Sequence, residues 1–256
     1  YLLGNLRLWG SIPEAYGTNS SEEKLYSKYT DVIIHCAYSF MGFTSLVIQE
    51  RADVADVECV TDDFSFVADA KVFRISRTAK NQKDFKVEAM DSWKHGKPYA
   101  MLVCPIYQLP SNRSQIYQQA ASRNVCIFSY SHLAVISRLA ESSGIEKAIE
   151  VILEIFRTVE AMNPNAQRLP TWQQINQKIL DFDESISEYW RTEKIASIES
   201  IQIAKSEALG YLASERERIM RLSKEDAITE VIKSSKIDNK IDQISSVRSK
   251  GILDII

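Results

Sequence analysis

Residues 99–107, "YAMLVCPIY", form a near-continuous apolar run. A strand with one wet face alternates apolar and polar residues. An unbroken run suits a strand covered on both faces, which demands a sheet with helices above and below it. The rest of the first half supplies those parts. "ADVECV" (55–60) and "FSFVADAKVF" (64–73) are short, β-branched and aromatic, with a polar "TDD" between them, and read as a hairpin. "NVCIFS" (124–129) is a further strand. "SEEKLYSKYTDVIIHCAYSFM" (21–41) opens with a Ser/Glu capping pattern, and Leu25, Tyr29, Val32, Ile33 and Cys36 recur at helical spacing. "QKDFKVEAMDSW" (82–93) reads as one helix stopped by "HGKP", with further helices near 113–122 and from about 131. Strands alternating with helices imply an α/β (α+β) fold, a mixed sheet with helices packed on it.

From about Gly144 no strand-like run appears. Pro164 and Pro170 bracket a loop, and 171–235 then runs without proline. Ile195, Ile198, Ile201 and Leu209 mark an apolar stripe, and Gly210 is a candidate break. The expected division is a core over 1–140 and a helical region over 141–256. Those helices could cover the sheet, pair subunits or grip a ligand, and core-facing helices are the commonest outcome.

At 256 residues and 45% hydrophobic, the chain has ample core for one large domain or two small ones. No apolar run reaches the ~20 residues of a membrane span. No signal-peptide pattern stands at Tyr1, and a start at Tyr is compatible with a native segment upstream. Cys36, Cys59, Cys104 and Cys126 lie singly in apolar runs and read as buried thiols of a reducing, cytoplasmic compartment. His35, His95 and His132 are scattered, which argues against zinc.

The charge is not evenly spread. The chain carries −3, yet "KVFRISRTAKNQKDFK" (71–86) carries +5, with Lys71, Arg74, Arg77, Lys80, Lys83 and Lys86 every third residue. A basic stretch on an acidic chain suggests one electropositive site with a defined anionic partner.

That stretch begins inside a strand. Side chains alternate along "FSFVADAKVF", so Asp69 and Lys71 project from one face, roughly 7 Å apart along the chain. On the preceding strand Asp56 and Glu58 share a face, and a hairpin can bring Asp56 beside Asp69. Two carboxylates and a lysine suffice for Mg²⁺-assisted phosphodiester hydrolysis: hard oxygen ligands hold the ion, and the lysine orients or deprotonates water or stabilises transition-state oxygens. An Asp-x-Lys triplet alone is more often an ion pair on a solvated face. The adjoining cations change that balance. "SRTAKNQ" (76–82) leads towards a helix, where backbone N–H groups favour phosphate. Arg74, Arg77, Lys80 and Lys83 are candidates for DNA backbone contacts, and Asn81 and Gln82 for base edges. A second triplet, Asp84-Phe85-Lys86, lies in a helical segment where i and i+2 diverge. Asp84 and Lys86 are therefore accessory candidates only.

An Asp followed about a dozen residues later by Asp-x-Lys on an αβββαβ core resembles the restriction-endonuclease-like nucleases. Within them, "VADAKVFRISRTAKNQKDFKVEAM" (67–90) is similar to the corresponding segment of the HindIII-type type II restriction endonucleases. "SIPEAYGTNSSEEKLYSKYTD" (11–31), "YAMLVCPIYQLPSNRSQIYQQA" (99–120) and "NVCIFSYSHLAVI" (124–136) fit the same template, which fades in the C-terminal half. The resemblance implies a homodimer that cuts both strands of the palindrome A/AGCTT with Mg²⁺, leaving 5′ overhangs, alongside a cognate DNA methyltransferase. It implies Asp56, Asp69 and Lys71 as catalytic residues, Asp56 and Asp69 as metal ligands, and Glu50, displaced by one position, as the family's upstream acid. Ala55 replaces the usual proline. A palindrome has a twofold axis, which a C2 dimer matches. A structure-specific repair nuclease on the same core and a non-catalytic DNA-binding protein are the alternatives.

Overall fold

The computed structural model describes residues 1–49, 54–77, 82–109, 114–162 and 171–245. It divides into two compact units, Tyr1–Ala208 and Leu209–Ile256.

In the first unit, α1 (Leu2–Leu8) and α2 (Ser21–Phe40) precede β1 (Thr44–Val47), β2 (Val57–Val60) and β3 (Ser65–Ala70). Two short helices follow, α3 (Gln82–Phe85) and α4 (Val87–Trp93), then β4 (Tyr99–Cys104), α5 (Ile116–Ala121) and β5 (Val125–Ser129). Helices α6 (Tyr130–Ser143), α7 (Ile145–Ala161), α8 (Thr171–Leu180) and the start of α9 (Ile186–Met220) complete it. The sheet has the order β1-β2-β3-β4-β5. β1, β2 and β3 form an antiparallel meander, and β3, β4 and β5 run parallel. The expected mixed sheet with flanking helices is present, and α2 through β4 follow the αβββαβ order.

Alternation along the strands divides the core between two faces. Phe66, Ala68, Met101, Val103, Cys126 and Phe128 point to the side covered by α2, α6 and α7. Val67, Ala100, Leu102, Val125 and Ile127 point to the side covered by α4 and α5. All five β4 residues from Ala100 to Cys104 are buried, as its unbroken apolar run requires. Val151, Ile152, Ile155 and Phe156 of α7 are fully buried, so this helix covers the sheet.

Several local expectations change. The strand read over 99–107 ends at Cys104, because Pro105 has no N–H for the ladder and a 3₁₀ turn, Ile106–Gln108, follows. The single helix read over 82–93 breaks at Lys86, which takes a left-handed φ of 46°. On α2 the burial falls on Ile33, Ile34, Ala37 and Tyr38, while Leu25, Tyr29, Val32 and Cys36 are exposed. Cys36 is thus a correction to the reading of four buried thiols; Cys59, Cys104 and Cys126 are buried as read. Helix α9 passes through Gly210 unbroken, and Ile195, Ile198 and Leu209 are exposed instead of core-facing. Ser20 caps α2 by accepting the Glu23 N–H at 3.2 Å, one residue before the Ser/Glu pattern read from Ser21.

Arg7 and Arg138 both grip the buried carboxylate of Glu193. Arg7 makes a two-pronged contact at 2.6 and 2.7 Å, and Arg138 Nε donates at 2.5 Å, which ties α1, α6 and α9 together.

The second unit contains the end of α9, α10 (Lys224–Ser234) and α11 (Ile237–Ser245). Ser223 caps α10 by accepting the Asp226 N–H. Among the described residues, no helix is long and apolar enough to cross a membrane.

Candidate active site

The hairpin sets the floor of a cleft of about 830 Å³. Its register pairs Val57 with Ala68, which puts Asp56 next to the end of β3. There the Asp56 N–H donates to Ala68 O at 3.1 Å, and Asp56 Oδ2 accepts the Ala70 N–H at 2.9 Å. The Asp56 carboxylate is therefore locked against the same strand end that carries Asp69 and Lys71. Val57 and Cys59 face the α2 side of the sheet, and Asp56, just before β2, lines one cleft with Asp69 and Lys71.

Lys71 Nζ is ion-paired with Asp69 Oδ2, and both side chains are largely buried. The Lys71 backbone is fixed on both sides: its N–H donates to Val103 O at 2.8 Å, and Tyr130 Oη donates to its carbonyl at 2.9 Å. The chain leaving β3 is held too. The Phe73 N–H donates to Gly10 O, and the Ile12 N–H donates to Phe73 O. Gly10 takes φ 106°, and a Cβ there would stand 2.9 Å from Pro105 Cβ, so this close crossing requires glycine.

The electrostatics are those of crowded acids. Burial, then the nearby charges of Asp69 and Asp31, push the Asp56 carboxyl up to about 8. Burial pulls Lys71 down, but Asp69 and Asp56 outweigh it and hold the amine above the usual lysine value.

Asp31 is the residue that sequence reasoning missed. It comes from α2, is 4% exposed, lines the cleft with Asp56 and Asp69, and accepts from Lys28 Nζ at 3.1 Å. Burial raises its carboxyl, against the opposing pull of Lys28. Among the described residues no group of three or more His, Cys, Asp and Glu side chains converges into a complete metal cage. The donor set, two carboxylates lining an open cleft, suits an ion that completes its shell with water, as Mg²⁺ does.

The basic stretch is only partly free. Arg74, Arg77 and Lys86 line the cleft with Lys71. Arg74 is bonded inward, to Glu23 at 3.1 Å and to the Pro13 carbonyl at 3.1 Å. Arg77 pairs with Asp84 at 2.5 Å and lies over the Phe73 ring. Lys86 sits over the Trp93 ring. Glu14 accepts both the N–H and the hydroxyl of Ser76, and Gln108 Nε2 donates to the Arg74 carbonyl, so the 74–77 turn is anchored. Glu50, Lys80 and Asn81 lie outside the described residues, as do the side chains of Gln82 and Lys83.

The model of the HindIII restriction endonuclease family matches residues 1–248. The chain belongs to this family. Over 136 residues it is 43% identical to the Type II restriction enzyme HindIII of Haemophilus influenzae, an alignment that takes in 52% of this chain and 45% of that protein. The chain thus spans less than half the length of the HindIII relative in that alignment. Nearly all of the chain falls within the HindIII family match, including the cleft and the helices after β5.

Proposed function

We propose that the chain is a Mg²⁺-dependent type II endonuclease that cleaves double-stranded DNA at the palindrome A/AGCTT, leaving 5′-phosphate ends, and acts as a cytoplasmic homodimer. The observation that carries this reading is the meeting of Asp56, Asp69 and Lys71 at the end of one hairpin, in an open cleft, in a chain of the HindIII restriction endonuclease family.

Asp56 and Asp69 would hold the ion. When bound, Mg²⁺ supplies Lewis-acid polarisation of the phosphate and makes water a stronger nucleophile. The remaining steps belong to the chain. The Ala70 N–H holds one oxygen of Asp56 and leaves the other available. Lys71, fixed at its backbone by β4 and Tyr130, directs its ammonium at the scissile phosphate and stabilises the added negative charge. Glu50 remains the proposed upstream acid. Arg74, Arg77, Lys80, Asn81, Gln82 and Lys83 are the proposed DNA contacts, with Arg74 and Arg77 releasing Glu23 and Asp84 to engage phosphate. Asp84 and Lys86 are accessory.

The reading makes 1–140 the nuclease core and 141–256 a helical region that covers the core, pairs subunits or grips DNA, with α7 among the covering helices. The test is digestion of a plasmid of known sequence with Mg²⁺, followed by mapping of the ends. Discrete 5′ overhangs at AAGCTT support the assignment. Smearing or junction-limited cutting points to a structure-specific nuclease, and binding without cutting to a non-catalytic DNA-binding protein.

A further inference from the structure

Lys28 and Asp31 form an i,i+3 pair on α2, but not an ordinary surface one. In such a pair both partners are wet and the gain is a few tenths of a kcal/mol. Here the Asp31 side chain is 5% exposed, whereas that of Lys28 is 66% exposed, and both line the cleft that holds Asp56, Asp69 and Lys71. A buried acid thus anchors a flexible amine at the rim of the site. Lys71 pairs with Asp69 on the floor and its side chain is 13% exposed, whereas Lys28 is a second, far more exposed ammonium lining the same cleft.

We propose that Lys28 is a phosphate-positioning residue of this cleft and that Asp31 holds it in place. The inference rests on the DNA-cleaving reading above. An ammonium pinned by one buried carboxylate keeps two further N–H donors for a phosphate oxygen, and its chain entropy is already restricted before DNA arrives.

The two ideas separate in one binding experiment, with a short duplex carrying AAGCTT in Ca²⁺, titrated at several salt concentrations. Lys28→Ala, at an exposed position, is expected to raise Kd about tenfold and lower the salt slope by about one, while Lys28→Arg restores most of both. Asp31→Asn gives the sharper contrast. Removing an acid near DNA should tighten binding by simple electrostatics, but removing a tether should weaken it. Weakening by Asp31→Asn, with no added effect on top of Lys28→Ala, is the expected result. Wild-type affinity and slope in Lys28→Ala overturn the proposal, as do tighter binding by Asp31→Asn or additive losses in the double variant. Should Asp31→Asn not fold by circular dichroism, the Lys28 variants alone decide. Failure of the unaltered chain to bind the duplex counts against the DNA reading itself.

Discussion

The Asp56 carboxylate accepts the Ala70 backbone N–H at 2.9 Å, one residue along the chain from Asp69 and one before Lys71. That bond makes the hairpin a single chemical unit, because the acid of one strand is oriented by the backbone of the next. Lys71 completes the unit as a cation. Replacing it with Ala should lower the cleavage rate about 10²–10³-fold, the usual cost of removing one electrostatic stabiliser of a transition state. DNA affinity in Ca²⁺ should fall much less. Single-turnover cleavage beside a binding titration measures both, and equal losses in the two would reduce Lys71 to a binding residue.

A structural prediction concerns Glu193. Burial alone would raise this carboxyl, but the hydrogen bonds from Arg7 and Arg138 hold it below the usual glutamate range. Replacing Glu193 with Ala leaves two partly buried guanidinium groups without their shared partner and should cost about 3 kcal/mol of stability. Urea unfolding reads the change as a lower midpoint. An unchanged midpoint would show that the three helices are held by apolar packing alone.

His132 gives a pH prediction. It is half-buried, stacked on Phe128, and bonded through Nδ1 to Ser129 Oγ at 2.7 Å and through Nε2 to Asn176 Oδ1 at 2.9 Å. Burial depresses its folded-state pKa to about 4. Between that value and the ordinary histidine value near 6.5, the unfolded chain binds the extra proton and the folded chain does not. The associated stability is therefore complete above about pH 6.5 and is lost as pH falls towards 4, by roughly 3 kcal/mol in all. Denaturant midpoints across this range should decline in the wild type and decline less in His132→Gln. Parallel profiles would assign the acid sensitivity to other groups.

The sheet was legible because alternation and continuous apolarity are strong local signals: β2, β3, β4 and β5 all fall within the runs read for them. β1 was not read, since its four residues, Thr44–Val47, carry half-exposed side chains at an edge and no apolar run. Strand parity puts Asp69 and Lys71 on one face, whereas Asp56 precedes β2 and is held at the end of β3 by its bond to the Ala70 N–H. Asp31 is hidden in the sequence because Leu25, Tyr29, Val32 and Cys36 suggest an inner stripe of α2 other than the one that is buried. Placed on Ile34, Ala37, Tyr38 and Met41, the buried stripe extends one turn back to Asp31, an acid where an apolar residue is expected. The ion pairs of Arg74 and Arg77 were not readable, since Glu23 comes from a distant helix and Asp84 sits beyond a turn.

The central claim is that Asp69 serves a divalent ion at a DNA phosphodiester, and Asp69→Asn tests it most directly. The substitution keeps the size of the side chain and removes its charge. Measured on a plasmid carrying AAGCTT with Mg²⁺, and on a duplex with Ca²⁺, the account predicts that cleavage falls at least about 10³-fold while binding stays within a few-fold of the unaltered chain. Cleavage by Asp69→Asn at near the original rate would contradict it.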